Sequence, residues 1–448
     1  MGVGLIEMNV TTESAGLLSP PREDIASVLR RSYIAEGVLL LFALLTLGVF
    51  DPQLHVVNFN ELKLDQAVAG ISTADPYNQI KWLALAGLAS LVVLSRPPAR
   101  LLNACLLAWP LLLLLAFCLL SVVWSDYPEF TVRRAAGLII SAYCLLVALT
   151  YIDEPKRAVQ IVYLAFWAAL FANLAVLPLP VAFDEFGFFR GAVGNKNSFG
   201  SIAAAAVLFG IGIGPWLESG WSKLLRLLFL GAWIGLLILS VSKTSIALVV
   251  AVPALLLMLA AASHVLRIGL GSAGLWILAL ATTAGVIAYG VLGYSPIDLV
   301  LPDTTFNGRT PIWAFMAHEI GDNWLVGTGF GAFWGVGYEA RNLSSIYSYI
   351  QLINQSHNGY IDVVAALGVI GLGLLVINLA YAARASETWR ARDPILFRFF
   401  WLLFIYVLLH NTMESSFLVP FNASWHLSLF TLLLAMLRDA KGGASWAE

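Results

Sequence analysis

The residues best suited to chemistry lie in a polar stretch between two long apolar segments, from Gly308 to Tyr360. It contains GRTPIWAF and later QSHNGY, and it carries Arg309 and His357. Arginine presents a planar fork of donors that matches phosphate oxygens, and Pro311 fits the first turn of a helix directly behind it. Histidine can exchange a proton near neutral pH, which a hydroxyl needs if it is to attack a carbon atom. The stretch therefore predicts a site that binds an oxyanion and moves a proton, although a lone interfacial histidine more commonly has a structural role.

Two further segments place positive charge beside short loops. FDEFGFFRGAVGNKNSFGS contains Arg190 and Lys196 among glycines. The amides of Asn195 and Asn197 lie there at a predicted helix N-terminus, where backbone N–H groups and the helix dipole favour a phosphate. In SVSKTS, Lys243 lies between two apolar runs with almost no loop to solvate it, so it is a functional candidate. The ordinary alternatives are a glycine-rich turn with capping asparagines and a lysine that extends to the membrane interface.

Other polar and aromatic side chains near these segments can bind or orient a substrate. Trp313 can stack on a sugar ring, although aromatic residues at a membrane interface are commoner. Asn358 and Tyr360 follow the histidine of QSHNGY at the start of a predicted helix. Glu414 ends a later apolar run, four residues after His410. We interpret Glu414 as a partner of an outer arginine rather than as a metal ligand, because no further ligands stand at suitable spacing.

The composition is that of an integral membrane protein. Of 448 residues, 60% are hydrophobic and only 12% are charged, against about 25% in soluble domains. Apolar runs of about 17 to 25 residues recur along the chain, each long enough to cross a bilayer as a helix. We therefore predict an all-α, polytopic integral membrane protein with about twelve transmembrane helices and no nucleic-acid partner; the family resemblance described below implies the inner membrane. The predicted spans are residues 33–50, 80–95, 101–124, 135–151, 158–178, 198–215, 225–241, 244–262, 269–292, 357–382, 397–412 and 420–437.

The distribution of Lys and Arg predicts which side each loop faces. With the N-terminus inside, sixteen of the 25 Lys and Arg residues fall on the cytoplasmic side, in agreement with the positive-inside rule. The nine Lys and Arg residues predicted on the outer side include Arg190, Lys243 and Arg309, so we expect the functional site to face outward. The predicted parts are a cytoplasmic segment 1–32, helices 1–9 within 33–293, a large water-facing periplasmic loop 294–356, helices 10–12 within 357–437, and a cytoplasmic tail 438–448.

Four segments, in order and spacing, resemble a known family. They are RGAVGNKNSFG, SKTS, GRTPIW followed by NWLVGTGFGAFW, and SHNGYIDVVAALGVIGL. They resemble the O-antigen ligase and polysaccharide polymerase superfamily of bacterial inner-membrane proteins, and most of all its exopolysaccharide-polymerase branch. The resemblance covers Arg190 to Phe417, while the first 150 residues add only WSDYP and the helix pattern. It implies a GT-C-like fold and a metal-independent, inverting glycosyl transfer on the periplasmic face, with no cofactor.

The resemblance also implies substrates and roles. The donor would be a glycan on undecaprenyl diphosphate, and the acceptor a glycan or lipid A-core. Arg190, Lys243 and Arg309 would hold the diphosphate, although some family members have Arg at the second position. His357 would assist the acceptor hydroxyl or position the donor. Fixed cations suit this reaction because they stabilise the charge that accumulates on the leaving oxygen.

Three functions stay open at this point. The preferred one is an exopolysaccharide polymerase. An O-antigen ligase differs from it only in the acceptor, which would be lipid A-core. A transporter of lipid-linked sugars predicts charges along a path through the middle of the bilayer, and the predicted spans do not contain them.

Overall fold

The computed structural model describes residues 25–52, 76–217, 219–272, 274, 309–334, 348–351 and 353–437. Within these ranges the regular structure is α-helical, apart from short 3-10 turns and a single bridge between Phe183 and Phe189. The predicted span 269–292 lies almost entirely outside the described residues, as do most of the N-terminal segment and the whole predicted tail 438–448. Of the predicted periplasmic loop, 309–334, 348–351 and 353–356 are described.

The described helices follow one another along the chain with short connections. They are α1 (Ile25–Thr46), α2 (Pro76–Leu94), α3 (Pro98–Leu107), α4 (Trp109–Leu120), α5 (Pro128–Tyr151), α6 (Pro155–Val176), α7 (Lys196–Gly212), α8 (Gly220–Ser240), α9 (Lys243–Leu266), α10 (Arg309–Ile320), α11 (Ser348–Gln351), α12 (Gly359–Ser386), α13 (Trp389–Arg392), α14 (Pro394–Met413) and α15 (Ala423–Met436).

The helices establish a polytopic α-helical membrane protein. Among the described residues, seven helices are long and apolar enough to cross a bilayer: α2, α5, α6, α8, α9, α12 with α13, and α14. The pair α3 and α4 makes an eighth if a bend of 80° is counted within one span. Tyr33–Thr46 and Ala423–Met436 are shorter apolar helices. Judged by length and apolarity, the described helices give seven or eight spans, so the predicted number of twelve is not confirmed.

The bend between α3 and α4 falls inside the predicted span 101–124. Pro110 stands in the first turn of α4, where its missing N–H and rigid ring suit a helix start and oppose continuation from the preceding helix. The amide Nδ2 of Asn378 in α12 donates to the Pro110 carbonyl at 2.8 Å. The bond ties the start of α4 to α12 and so fixes the direction in which the chain continues after the bend.

A second break lies within α12, at Gly368, whose φ of 65° is left-handed. Before the break, Ala365 O accepts a hydrogen bond from Thr328 N at 3.0 Å. After the break, Val369 N donates a hydrogen bond to Trp324 O at 2.9 Å. A Cβ on Gly368 would overlap the Leu325 carbonyl. Glycine is required here because both the conformation and the close approach exclude a side chain.

The segment packed into this break is GTGFG, residues 327–331. Its Gly327 to Phe330 are buried. The predicted water-facing loop 294–356 therefore contains a segment that packs inside the protein. Its backbone groups bond to α12 and to the WSDYP segment, where Asp126 N donates to Thr328 O at 3.2 Å. Buried irregular backbone is tolerated when protein groups satisfy it in this way.

Charged residues predicted on the cytoplasmic side collect at one end of the bundle. Arg100 pairs with Asp153 at 2.9 Å, and Arg157 with Glu36 at 2.8 Å. The opposite ends of α5, α12 and α14 carry the candidate site. The helices that begin there have asparagine caps: the side chains of Asn195, Asn358 and Asn422 accept backbone N–H groups at the starts of α7, α12 and α15.

Candidate active site

Glu414 joins two predicted site residues. Its Oε1 lies 2.8 Å from Nη2 of Arg309, and its Oε2 lies 3.2 Å from Nδ1 of His357. The side chains of Arg309 and Glu414 are 11% and 13% exposed, and that of His357 is 23% exposed. Arg309 begins α10, His357 precedes α12, and Glu414 follows α14. The fold therefore brings three distant parts of the sequence into one cluster that stays open to water at the imidazole.

The SHNGY turn fixes the position of the imidazole. His357 has a left-handed backbone with φ of 55°, which is uncommon for a residue other than glycine and costs energy that neighbouring contacts must offset. Ser356 Oγ donates to the Asn358 carbonyl at 2.9 Å, while Asn358 Oδ1 accepts from Tyr360 N and Ile361 N at 3.1 Å. The turn also bonds to the far side of the cluster, because Gly359 N donates to Glu414 O at 3.2 Å.

Three residues predicted to bind substrate brace this turn. Trp313 Nε1 donates to Ser356 O at 3.0 Å. Asn358 Nδ2 donates to Thr412 O at 3.2 Å, and the hydroxyl of Tyr360 donates to Leu408 O at 3.0 Å. These contacts give Trp313, Asn358 and Tyr360 a positioning role, whether or not they also touch a substrate.

Arg190 lies in a second group and is 4% exposed. Its Nε donates to Val181 O and its Nη1 to Gly194 O, both at 3.1 Å. The guanidinium therefore holds the turn that leads into α7. Lys196, at the start of α7, places its Nζ 3.7 Å from the ring centre of Phe188.

Lys243 begins α9 and is exposed, while Asn197 in the first turn of α7 is half-buried. The two loops they belong to are neighbours. Phe189 N donates to Leu239 O at 3.0 Å, and a Cβ on Gly200 would overlap the side chain of Ser242. The structure thus brings the Arg190 and Lys243 loops together, as it does Arg309, His357 and Glu414.

A cavity of about 740 Å³ is lined by residues next to both groups in the chain, but not by Arg309, His357, Glu414, Arg190 or Lys243 themselves. Asn195 and Ser198 line it from the start of α7, and Ser415 lines it next to Glu414 in the chain. Asp362 of α12 also lines it, where it accepts from Trp334 Nε1 at 2.9 Å and from Ser356 N at 3.2 Å. The carboxylate that fixes Ser356 thereby connects the cavity to the histidine turn.

Sequence reasoning missed several residues of this cavity. Arg133 and Arg134 line it, although the sequence marks them only as two of the outer cations. Asp362, one helical turn after Asn358, was expected from the sequence to orient neighbouring groups, but its contact with Trp334 joins parts of the chain that local spacing does not relate. Among the described residues, no group of three His, Cys, Asp or Glu side chains is placed to hold a metal ion.

Fold and site together define a multi-pass helical membrane protein in which a half-buried carboxylate joins an arginine and a histidine, near a cavity with a mixed polar and apolar lining. No protein-family model matches the chain. It is 26% identical over 339 residues to the exopolysaccharide production protein ExoQ of Rhizobium meliloti (strain 1021). This similarity covers 70% of the chain and 74% of the relative. The resemblance to the O-antigen ligase and polysaccharide polymerase superfamily, drawn from the four segments, is thereby confirmed.

Proposed function

We propose that the protein is a glycosyltransferase that moves a glycan from undecaprenyl diphosphate to a hydroxyl of an acceptor glycan, as an exopolysaccharide polymerase. The observation that carries the proposal is the bridge from Glu414 to both Arg309 and His357, beside a cavity of about 740 Å³. Similarity to a protein of exopolysaccharide production supports the polymerase over the ligase. The site is proposed to face the periplasm, with residues 294–356 on that side.

Glu414 prepares His357 to accept a proton. A carboxylate at Nδ1 favours the tautomer that carries its hydrogen on that nitrogen, which leaves the lone pair of Nε2 to act as a base. The same carboxylate stabilises the imidazolium that forms when Nε2 takes the proton. This is the division of labour between the carboxylate and histidine of a hydrolytic triad, applied to an acceptor hydroxyl.

The transfer itself forms one bond and breaks one bond. The acceptor oxygen attacks C1 of the donor sugar from the face opposite the diphosphate, and its proton passes to His357 Nε2. The bond from C1 to the diphosphate oxygen breaks, and its electron pair leaves with the lipid diphosphate. Inversion at C1 follows because attack and departure occur on opposite faces.

Cations around the site are proposed to hold the diphosphate. Arg309 has five N–H donors, of which one Nη2 hydrogen bonds to Glu414, so the guanidinium can also bind an oxyanion. Lys243 is exposed, and in this proposal it supplies a point charge from the loop that packs against the Arg190 turn. Arg190 contributes by fixing the turn that carries Asn195, Lys196 and Asn197. Charge on the leaving oxygen is stabilised most when such groups are already in place.

Reconstitution in liposomes tests the proposal. The purified protein receives a radiolabelled oligosaccharide on undecaprenyl diphosphate, with either the same oligosaccharide or lipid A-core as acceptor. We expect longer glycan chains with inverted linkage, and free undecaprenyl diphosphate in equal amount. Transfer to lipid A-core alone would contradict the polymerase assignment. Movement of intact donor across the bilayer without transfer would overturn the enzymatic proposal in favour of a transporter.

A further inference from the structure

The cavity has a lining rich in side-chain amides. A volume of about 740 Å³ lies within the roughly 300–1,000 Å³ typical of sites that hold small organic ligands. An amide offers both a donor and an acceptor, as a sugar hydroxyl does. Among the described residues, the lining amides are Asn78, Gln79, Asn195, Asn354, Gln355 and Asn422. The rest of the lining is mostly apolar, so the cavity suits a ligand that presents both hydroxyls and apolar ring faces, as a sugar does.

Aromatic rings lie among these amides. Trp82 stacks on Phe421 with ring centres 4.9 Å apart, and both residues line the cavity. The indole of Trp334, also in the lining, is held by its bond to Asp362. Trp82 is buried among other rings, whereas Trp334 is half-buried, so the flat face of the Trp334 indole can cover the apolar face of a sugar ring while amides bond to the hydroxyls.

Charge in the cavity is unevenly distributed. Arg133 and Arg134 stand together on α5, and Asp362 is the only carboxylate among the described lining residues. Arg134 is fixed through Nη1, which donates to Gly331 O and to Trp334 O, the latter at 2.8 Å. Arg133 lies over the ring of Phe130, 5.0 Å from its centre. By formal charge, two guanidinium groups and one carboxylate leave the described lining with an excess of one positive charge.

This excess matches one negative group rather than a diphosphate, which carries at least two charges. A carboxylate on a sugar fits both the charge and the planar donors of arginine. We propose that the cavity binds the acceptor glycan and that Arg133 and Arg134 recognise a carboxylate on it. The acceptor is then an acidic polysaccharide. The role of the bound glycan as an acceptor rests on the proposed function. Binding of an acidic glycan in the cavity does not.

Binding measured without any donor lipid tests the inference. Purified protein in nanodiscs is titrated with a trisaccharide that ends in glucuronic acid, with the matching neutral trisaccharide that ends in glucose, and with inorganic diphosphate. We expect the wild-type protein to bind the acidic trisaccharide about tenfold more tightly than the neutral one, since a hydrogen bond to a charged group commonly contributes that much. Arg133→Gln should remove this preference and leave neutral binding unchanged.

Two further variants keep the test decisive. Arg133→Lys retains the charge and should keep part of the preference even if the glutamine variant fails to fold. Arg398→Gln removes an exposed arginine at the opposite end of the bundle and should change nothing. Equal binding of the two trisaccharides by the wild-type protein overturns the inference. So does an Arg133→Gln variant that loses diphosphate binding but keeps the preference for the acidic sugar. Absence of transfer with intact acid-selective binding would count against the proposed function alone.

Discussion

Glu414 Oε2 lies 3.2 Å from Nδ1 of His357 and occupies one of the two nitrogens of that imidazole. The other oxygen of the carboxylate lies 2.8 Å from Arg309. Because these residues come from three separate helices, their meeting depends on the whole bundle. In the proposed mechanism the pair favours one tautomer of His357, and the arginine compensates the carboxylate charge in a half-buried position.

Replacing Glu414 by Gln should reduce transfer while the protein stays folded. Glutamine keeps the shape of the side chain but cannot stabilise an imidazolium, so we expect a rate loss of about a hundredfold. The measurement is the initial rate of glycan transfer in liposomes. Glu387→Gln, which removes a carboxylate paired to Arg390 at the opposite end of the bundle, is the control and should keep the rate. An unchanged rate in the Glu414 variant would refute its positioning role.

Replacing Arg190 by Ala should lower stability as well as activity. Two half-buried carbonyls, Val181 O and Gly194 O, would lose their donor, at a cost of about 1 kcal/mol each because water can reach them in part. Thermal unfolding in detergent should therefore occur at a lower temperature, and transfer should be lost with the turn. A variant that unfolds at the wild-type temperature yet transfers nothing would instead indicate direct contact between Arg190 and the donor.

Replacing Lys243 by Ala should weaken donor binding without disturbing the fold, because the side chain is exposed. We expect KM for the lipid-linked donor to rise about tenfold, with a smaller change in kcat. Lys223→Ala is the matched control, since Lys223 is an exposed lysine near the other end of α8. Equal KM values in the two variants would remove Lys243 from the diphosphate site.

Replacing Gly368 by Ala should destabilise the protein strongly. The new methyl group would overlap the Leu325 carbonyl, and its left-handed φ of 65° is strained for alanine. We expect release of the GTGFG segment, seen as new protease cleavage within 324–331 and a lower unfolding temperature. Gly373 is the control in the same helix: a Cβ there meets nothing within 4 Å, so Gly373→Ala should be neutral. Wild-type stability of Gly368→Ala would show that the break tolerates a side chain.

Much of the helical architecture could be predicted from the sequence because apolar runs determine where helices can lie in a bilayer. The helix starts at Asn195 and Asn358 were also readable, since asparagine caps follow local rules. The breaks at Ala108 and Gly368 were not predicted. A break within an apolar run depends on partners that satisfy its backbone, and those partners, such as Asn378 and the GTGFG segment, are remote in the sequence.

The residues of the candidate site could be predicted from the sequence, but the contacts between them could not. GRTPIW and SHNGY marked Arg309 and His357, and Glu414 was interpreted as a partner of an outer arginine. That it also bonds to His357 required the fold. The cavity was not foreseen, because Arg133, Arg134 and Asp362 approach it from helices whose packing no local pattern specifies. Burial of Arg190 could not be predicted either. The local sequence is the same whether the guanidinium bonds to backbone carbonyls or binds a phosphate.

The most direct test of the account replaces His357 by Gly in the reconstituted transfer reaction. Glycine adopts the left-handed backbone of this position without strain, and the imidazole it replaces is partly exposed to solvent. We predict that the variant loses transfer and that added imidazole restores part of the rate, with no rescue in Glu414→Gln. Transfer by His357→Gly at the wild-type rate without imidazole would contradict the assignment of His357 as the base.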